Sequence, residues 1–331
     1  MEGSVTGQKL GLKVTVSLLI VLSFVNQGEA RRVKLAMPSF GVTAAFSAAL
    51  KKGYYKEEGL EVEQVLMRAP IATQALLSGE VDFSTVGAGG LLAALRGAPL
   101  RFIFHTYYRP MFWLYAKSDI REIKDLKGKK FAISGPGGGP DILFAEVFRR
   151  YGLEVGRDIT YISVGSQSTR FAALQTGAVE ATYFGIPVIF TAQEAGFREL
   201  TTLVNQDLVE LQGSIVVRER LLESDPGLVE KFVRGTLKGF RYTRDRRSGT
   251  IPIMAGMLKV SEELAGKSYD AVRPAMTPDG TVPEEVQKKA IESVLKLGGI
   301  KESSPLERIF NYFHIRTVRA ELDRRGWQAE P

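Results

Sequence analysis

Residues 75–82 read ALLSGEVD, and residues 173–180 read ALQTGAVE. Gly79 falls on Gly177 at an offset of 98 positions, and Gly87 falls on Gly185 at the same offset. Upstream, GLEV at 59–62 recurs as GLEV at 152–155, an offset of 93, so the register slips by five residues. A repeat of this length is too long for one solenoid unit and suits two similar α/β lobes. The plainer explanation, that α/β units resemble one another anyway, accounts less well for matches that keep their order.

The pattern between the repeats alternates strands with helices. Apolar runs predict strands over 31–37, 60–67, 81–86 and 100–105. Helices are predicted over 42–53, 69–79 and 91–97, with a turn at 54–59. The second copy opens with 112–117 and continues through 159–164, a helix over 170–177, a strand over 180–184 and a helix after Pro187, and it closes around 200–204. Such alternation implies parallel βαβ units with right-handed crossovers. Residues 212–217 (QGSIVV) read as a strand that carries the chain back to the first lobe. After it the sequence turns helical, over 225–247, 261–276, 283–298 and 305–325, with proline or serine near each entrance. These helices are expected to pack on the first lobe.

Within the second copy, residues 126–141 read LKGKKFAISGPGGGPD. A polar turn at 127–130 leads into a short apolar run at 131–134. Glycines then allow close backbone approach, and Pro140-Asp141 opens a helix. A strand that feeds a glycine loop and a helix start leaves free N–H groups and a positive dipole end at one spot. Locally, the stretch admits two readings: a place for an anion, or a tight turn that binds nothing. It is not a phosphate-binding P-loop, because no Gly-Lys-Ser/Thr follows the glycines, and GxGxxG spacing is absent.

Composition narrows the function. The 331 residues carry 44 basic and 37 acidic side chains, a formal charge of +7. The basic residues are scattered, and the densest run, 241–247 (RYTRDRR), also holds Asp245, so no nucleic-acid groove is expected. Lys9 and Lys13 precede a 12-residue apolar run at 14–25, and Gly28-Glu29-Ala30 follows with small residues at the −3 and −1 positions. That is the pattern of a secretory signal peptide, removed before Arg31, and the run is short for a membrane span. An uncleaved anchor is the alternative. With no cysteine, disulfides, thiolate metal sites and a lipidated N-terminus are excluded, and two histidines, His105 and His314, do not make a histidine-rich metal site. No metal or cofactor is therefore expected, and both histidines read as structural.

With this repeat and export signal in view, the chain resembles the periplasmic substrate-binding proteins of ABC importers, of the sulfonate, nitrate, taurine and thiamine-precursor type. The likeness rests on residues 75–82, 118–130 (SDIREIKDLKGKK), 173–180 with Gly185-Ile186-Pro187, and 321–326 (ELDRRG). The resemblance implies an α/β fold of two similar lobes joined by two crossing strands, like a type II periplasmic binding protein, with extra C-terminal helices on the first lobe. Residues 1–30 would be the signal peptide, 31–108 and 208–331 lobe one, and 109–207 lobe two. It implies a monomer that is free in the periplasm, not an enzyme, and partnered by a permease and its ATPase.

Family sites are built from loops at the C-terminal ends of strands, where open α/β sheets bind ligands. That carries over to Ser39, Phe40, Gly41, Arg68, Ala69, Gly87, Ala88 and Gly89 in lobe one. In lobe two it carries over to Gly137, Gly138, Gly139, Ser166, Gln167, Ser168, Tyr183, Phe184 and Gly185. Relatives often place Ser or Thr in the helix-opening loop. Here that loop is Gly and Pro, so backbone donors remain without hydroxyls, which counts against a sulfonate or nitrate ligand. Each candidate also has an ordinary reading. Arg68 follows a strand and reaches a carboxylate bidentately, or is a solvated surface arginine. Arg170 reads as surface or lobe packing. Phe40, Tyr107, Tyr108, Tyr183 and Phe184 stack on a planar ligand or belong to the core.

The expected ligand is a small organic molecule, anionic or aromatic, with a neutral heterocycle as the alternative. A periplasmic sensor module is the alternative function. An enzyme on the same fold is the less favoured one: the chain lacks the cysteines and histidines of thiamine pyrimidine synthases and shows no Ser-His-Asp or paired-carboxylate pattern. Hinges are expected near 106–111 and 204–212. Gly138→Asp should weaken ligand binding by blocking backbone approach and adding negative charge, and unchanged affinity in calorimetry would remove this loop from the site.

Overall fold

The computed structural model describes residues 1–3, 30–37, 43–135, 139–298 and 304–330. The signal-peptide expectation falls on residues 1–30, of which 4–29 lie outside the described residues, as do Ser39, Phe40, Gly41, Gly137 and Gly138.

In chain order the first half comprises β1 (Arg31–Met37), α1 (Ala44–Lys51), α2 (Tyr54–Glu57), β2 (Leu60–Leu66), α3 (Ala69–Ser78), β3 (Phe83–Ser84), α4 (Ala88–Leu95) and β4 (Leu100–Tyr107). The second half holds β5 (Trp113–Ala116), a 3-10 turn (Ile123–Leu126), β6 (Lys129–Ile133), α5 (Gly139–Arg150), β7 (Ile159–Ser163), α6 (Gln167–Thr176), β8 (Ala181–Phe184), α7 (Val188–Glu194) and β9 (Arg198–Thr202). The chain then returns through β10 (Gln212–Arg218) and ends in helices. These are α8 (Glu219–Ser224), α9 (Pro226–Asp245), α10 (Arg247–Leu258), α11 (Glu262–Val272), α12 (Glu284–Gly298), α13 (Leu306–Ile309) and α14 (Phe313–Arg324).

Two five-stranded sheets result, in the orders β2-β1-β3-β10-β4 and β7-β6-β8-β5-β9. β1 pairs in parallel with β2 and β3, and β6 in parallel with β7 and β8. In each sheet one strand runs against its neighbours: β10 lies antiparallel between β3 and β4, and β5 antiparallel between β8 and β9. Both are strands that enter from the other half of the chain. The expected parallel units are present, and the crossing strands make each sheet mixed.

The repeated motif does the same work in each half. α3 and α6 both end on a left-handed glycine, Gly79 (φ 87°) and Gly177 (φ 74°), whose N–H groups reach the carbonyls of Leu76 and Leu174. Glycine adopts that conformation without the steric cost a Cβ brings. The next strands are held by the acid that follows. Asp82 accepts a hydrogen bond from the Lys34 N–H at 2.9 Å, and Glu180 accepts one from the Lys130 N–H at 2.8 Å. Each acid's own N–H returns to the same lysine's carbonyl. The five-residue slip is a turn at 154–158 ahead of β7, where Asp158 Oδ2 accepts the Glu154 N–H at 2.9 Å and the Asp158 N–H reaches the Glu154 carbonyl at 2.7 Å.

α9 covers the first sheet. Asp225 caps it by accepting the Leu228 N–H at 2.9 Å, and Pro226 sits at its first position. Leu228, Val229, Phe232, Val233, Leu237 and Phe240 recur at helical spacing and are buried. Phe232 stacks on Phe83 at 3.9 Å between ring centroids.

The helical tail departs from expectation in three places. First, the helix expected to run to about Arg247 ends at Asp245, and α10 follows it with Pro252 inside. Second, the 305–325 helix is split: residues 310–312 extend along β4, with Phe310 bridged to Phe102 and the Asn311 N–H on the Phe102 carbonyl at 2.9 Å. Third, the tail does not pack on the first sheet alone. Met254, Ala265, Tyr269 and Val272 of α10 and α11 share one apolar cluster with Trp113, Phe184 and Ile189 of the second half.

α1 and α9 touch at Gly239, where an added Cβ would lie 2.3 Å from the Ala45 carbonyl oxygen and 2.7 Å from the Ala49 Cβ. Gly239→Ala must push the two helices apart. We expect a loss of about 1–3 kcal/mol, typical of overpacking, read as a lower urea midpoint. An unchanged midpoint would mean the helices are free to separate.

Candidate functional site

Most of the described candidates sit at the starts of helices beyond the strand ends, whereas Tyr183 and Phe184 lie in β8. Arg68 precedes α3, Ala69 opens it, and Gly87 precedes α4, whose first residues are Ala88 and Gly89. Gly139 opens α5. Ser166 caps α6 by accepting the Thr169 N–H at 3.2 Å, so Gln167 and Ser168 form the first helical turn three residues earlier than expected. The cap-forming hydroxyl is the reason for the earlier start.

Two crossing segments run side by side between the halves. The Glu210 N–H donates to the Tyr108 carbonyl at 3.2 Å, Thr106 Oγ1 donates to the Gly213 carbonyl at 3.1 Å, and Arg109 Nη1 donates to the Val204 carbonyl at 3.3 Å. The repeated glycines meet these segments. A Cβ on Gly87 would lie 2.4 Å from the Leu211 carbonyl oxygen, and one on Gly185 would lie 3.4 Å from the Met111 carbonyl oxygen. Only a residue without a side chain permits the first approach.

Ala88, Leu91, Gly139, Leu143, Val209, Glu210 and Leu211, with three residues of α12, line a gap of about 20 Å³. It therefore brings together two of the sequence candidates, Ala88 from the first half and Gly139 from the second. Glu210 is the charged side chain among these lining residues, and sequence reasoning missed it. It lies within the expected hinge at 204–212, but a single acid ahead of a strand carries no pattern. Its Oε1 is 2.7 Å from where a Gly139 Cβ would sit, and its Oε2 accepts a hydrogen bond from Gln212 Nε2 at 2.6 Å. Burial among these groups pushes its carboxyl up from the ordinary 4.5 to about 7, against the lowering effect of the Gln212 bond.

Gly87 packs on Leu211 at the edge of that gap, and the remaining described candidates are not among its lining residues. Arg68 is exposed. Tyr183 and Phe184 are buried, at 2% and 0% exposure, and belong to apolar clusters. The Tyr183 hydroxyl lies 3.0 Å from Ser134 Oγ and 3.1 Å from Asp141 Oδ1, which links the end of β6 to the first turn of α5. Burial pushes its pKa up to about 12. Arg170, expected at the surface or in lobe packing, is buried with its guanidinium 4.3 Å over the Tyr183 ring, and it donates to the carbonyls of Gly165 and Tyr183. Gln167 Oε1 accepts the Gly185 N–H at 2.6 Å, which ties the start of α6 to the residue after β8. His105 is buried with Nδ1 2.8 Å from Ser214 Oγ, and desolvation lowers its pKa to about 3.

A larger hollow of about 450 Å³ lies elsewhere, lined by Arg241, Arg244, Arg246 and Arg319. Three of these arginines are already paired, with Asp323, Asp245 and Asp279. The fourth, Arg246, donates to the Ala329 carbonyl, so most of this charge is taken up within the protein and the gap between the halves is the stronger candidate. Among the described residues, no group of three or more His, Cys, Asp or Glu is placed to hold a metal, and no helix is long and apolar enough to cross a membrane.

A family model described as NMT1/THI5 like matches residues 42–247, more than half of the chain. The chain belongs to the NMT1/THI5 like family. This member is 30% identical over 211 residues to the riboflavin-binding protein RibY of Chloroflexus aurantiacus, a match spanning 60% of this chain and 58% of that one. The match therefore spans less than two thirds of that relative's length. Among solved structures, the periplasmic aliphatic sulphonate binding protein SsuA of Escherichia coli is similar at a TM-score of 0.69 and 19% identity, covering 85% of this chain and 92% of that one. The periplasmic nitrate-binding protein NrtA of Synechocystis PCC 6803 is similar at a TM-score of 0.70 and 15% identity, covering 89% and 90%. At these identities the structural likeness shows the fold, which is that of the periplasmic binding proteins.

Because the Glu210 pKa is raised above 4.5, the folded protein binds its proton more tightly than the unfolded chain does. Its contribution is favourable below about pH 4.5 and is lost as the pH rises through about 7. Glu210→Gln removes that titration. The variant should gain roughly 1–3 kcal/mol relative to wild type between pH 4.5 and pH 8, measured by urea unfolding at both values. A difference that does not change with pH would place the carboxyl in a water-like setting.

Proposed function

We propose that this protein is the periplasmic solute-binding component of an ABC-type importer, working with a permease and its ATPase. Its two lobes are 31–108 with 208–331, and 109–207, and it acts as a monomer exported by the leader at residues 1–30. The observation that carries the reading is the gap lined from both halves, by Ala88 and Leu91 on one side and by Gly139 and Leu143 on the other, with Val209–Leu211 of a crossing segment at its back. A solute held there touches both halves at once. Only such a ligand draws them together, because a population shift requires a difference in affinity between the open and closed forms.

The lining is apolar apart from Glu210, Ser293 and backbone groups. That favours a neutral, flat organic molecule with hydrogen-bond donors over an organic acid. Riboflavin, named for the relative in Chloroflexus, has that chemistry: a planar ring system with an N–H group and a hydroxylated chain. A gap of about 20 Å³ is far below the roughly 300–1,000 Å³ of small-molecule pockets, so entry requires the halves to separate about the paired crossing segments.

Saturation with the true solute should compact the protein in small-angle scattering and raise its melting temperature by mass action. We expect both effects with riboflavin or a related neutral heterocycle, with candidates supplied by mass spectrometry of whatever co-purifies. A ligand that raises the melting temperature without any compaction would argue against a two-lobe clamp.

A further inference from the structure

The helix start that the sequence offers as an anion site already faces a carboxylate. Glu210 Oε1 packs against Gly139, the first residue of the 12-residue helix α5, at a distance that leaves no room for a Cβ. The positive end of the helix dipole favours negative charge there, whichever molecule supplies it. Glu210 is held in that position. Its N–H is bound to the Tyr108 carbonyl in the neighbouring crossing segment, and Gln212 fixes its other carboxylate oxygen. The other side chains lining the gap are aliphatic apart from Ser293.

Resting on the solute-binding reading, we infer that Glu210 stands in the place of an anionic head group and sets the specificity of the cleft. In its ionised form it excludes sulfonates, nitrate and other small anions, and it selects neutral solutes that donate hydrogen bonds to its carboxylate. A second anion brought against Glu210 would meet a like charge in a poorly hydrated gap, which is strongly unfavourable. A donor N–H or O–H would instead gain a charge-assisted hydrogen bond.

The test is titration calorimetry at pH 8.5, where the carboxyl is ionised, with methanesulfonate and nitrate as probes against wild type, Glu210→Gln and Glu210→Ala. Wild type should show no binding of either anion at about 10 mM, whereas the neutral variants should bind methanesulfonate at least about tenfold more tightly. Circular dichroism melting identifies which variants are folded. Submillimolar binding of either anion by wild type overturns the inference, even if no variant folds, and leaves the solute-binding reading intact. A folded variant with no gain over wild type also overturns it. Failure of the solute-binding reading would show separately, as absence of compaction and stabilisation with every neutral and anionic solute tried.

Discussion

The architecture depends on two strands that cross between the sheets. β10 is inserted antiparallel between β3 and β4, and β5 between β8 and β9, so neither sheet is complete without a strand from beyond the crossover. Each inserted strand has backbone partners on both sides, and breaking that ladder would expose many buried amides and carbonyls at once. The crossing segments are fixed at their ends by these ladders and tied to one another between them, where Thr106, Tyr108 and Arg109 bond to Gly213, Glu210 and Val204.

That constraint explains why the repeated glycines are glycines. Gly87 packs on the Leu211 carbonyl immediately before β10, and Gly185 packs near the Met111 carbonyl shortly before β5. Each half thus presses a helix-opening loop onto the segment that leads into its borrowed strand. The site is built at the same place, because the loops at the strand ends and the crossings converge there. The C-terminal helices close the arrangement from the side. The Tyr108 N–H donates to the Ala275 carbonyl at 3.0 Å, the Thr277 N–H donates to the Thr106 carbonyl at 2.9 Å, and α10 and α11 share apolar neighbours with the second half. A rotation of one half against the other would have to move these helices or slide past them.

Asp141, Arg170 and Tyr183 form a buried polar group that reaches the exposed Ser134 through the Tyr183 hydroxyl. Such a group is costly unless its members satisfy one another, and once satisfied it holds its surroundings in one geometry. It supports the start of α5, the surface that Glu210 faces. The result is a rigid platform on one side of the gap and a carboxylate carried by a crossing segment on the other. The chemistry of the cleft is tied in this way to the element about which the halves would turn.

Much of the fold was legible along the chain. Alternating apolar runs marked the strands of both halves, the glycines at 79 and 177 marked helix ends, and the spacing of Asp82 and Glu180 marked equivalent turns. These are local signals, because they depend on periodicity and on φ angles that few residues tolerate. What only the tertiary structure decided depends on contacts between residues far apart. Glu210 meets Gly139, Arg170 folds inward onto Tyr183, and residues 310–312 leave the helix to pair with β4. Pro252 sits inside α10, where the local sequence reads as a break. In each case the local sequence allows more than one state, and the choice is made by burial and by partners that folding brings near.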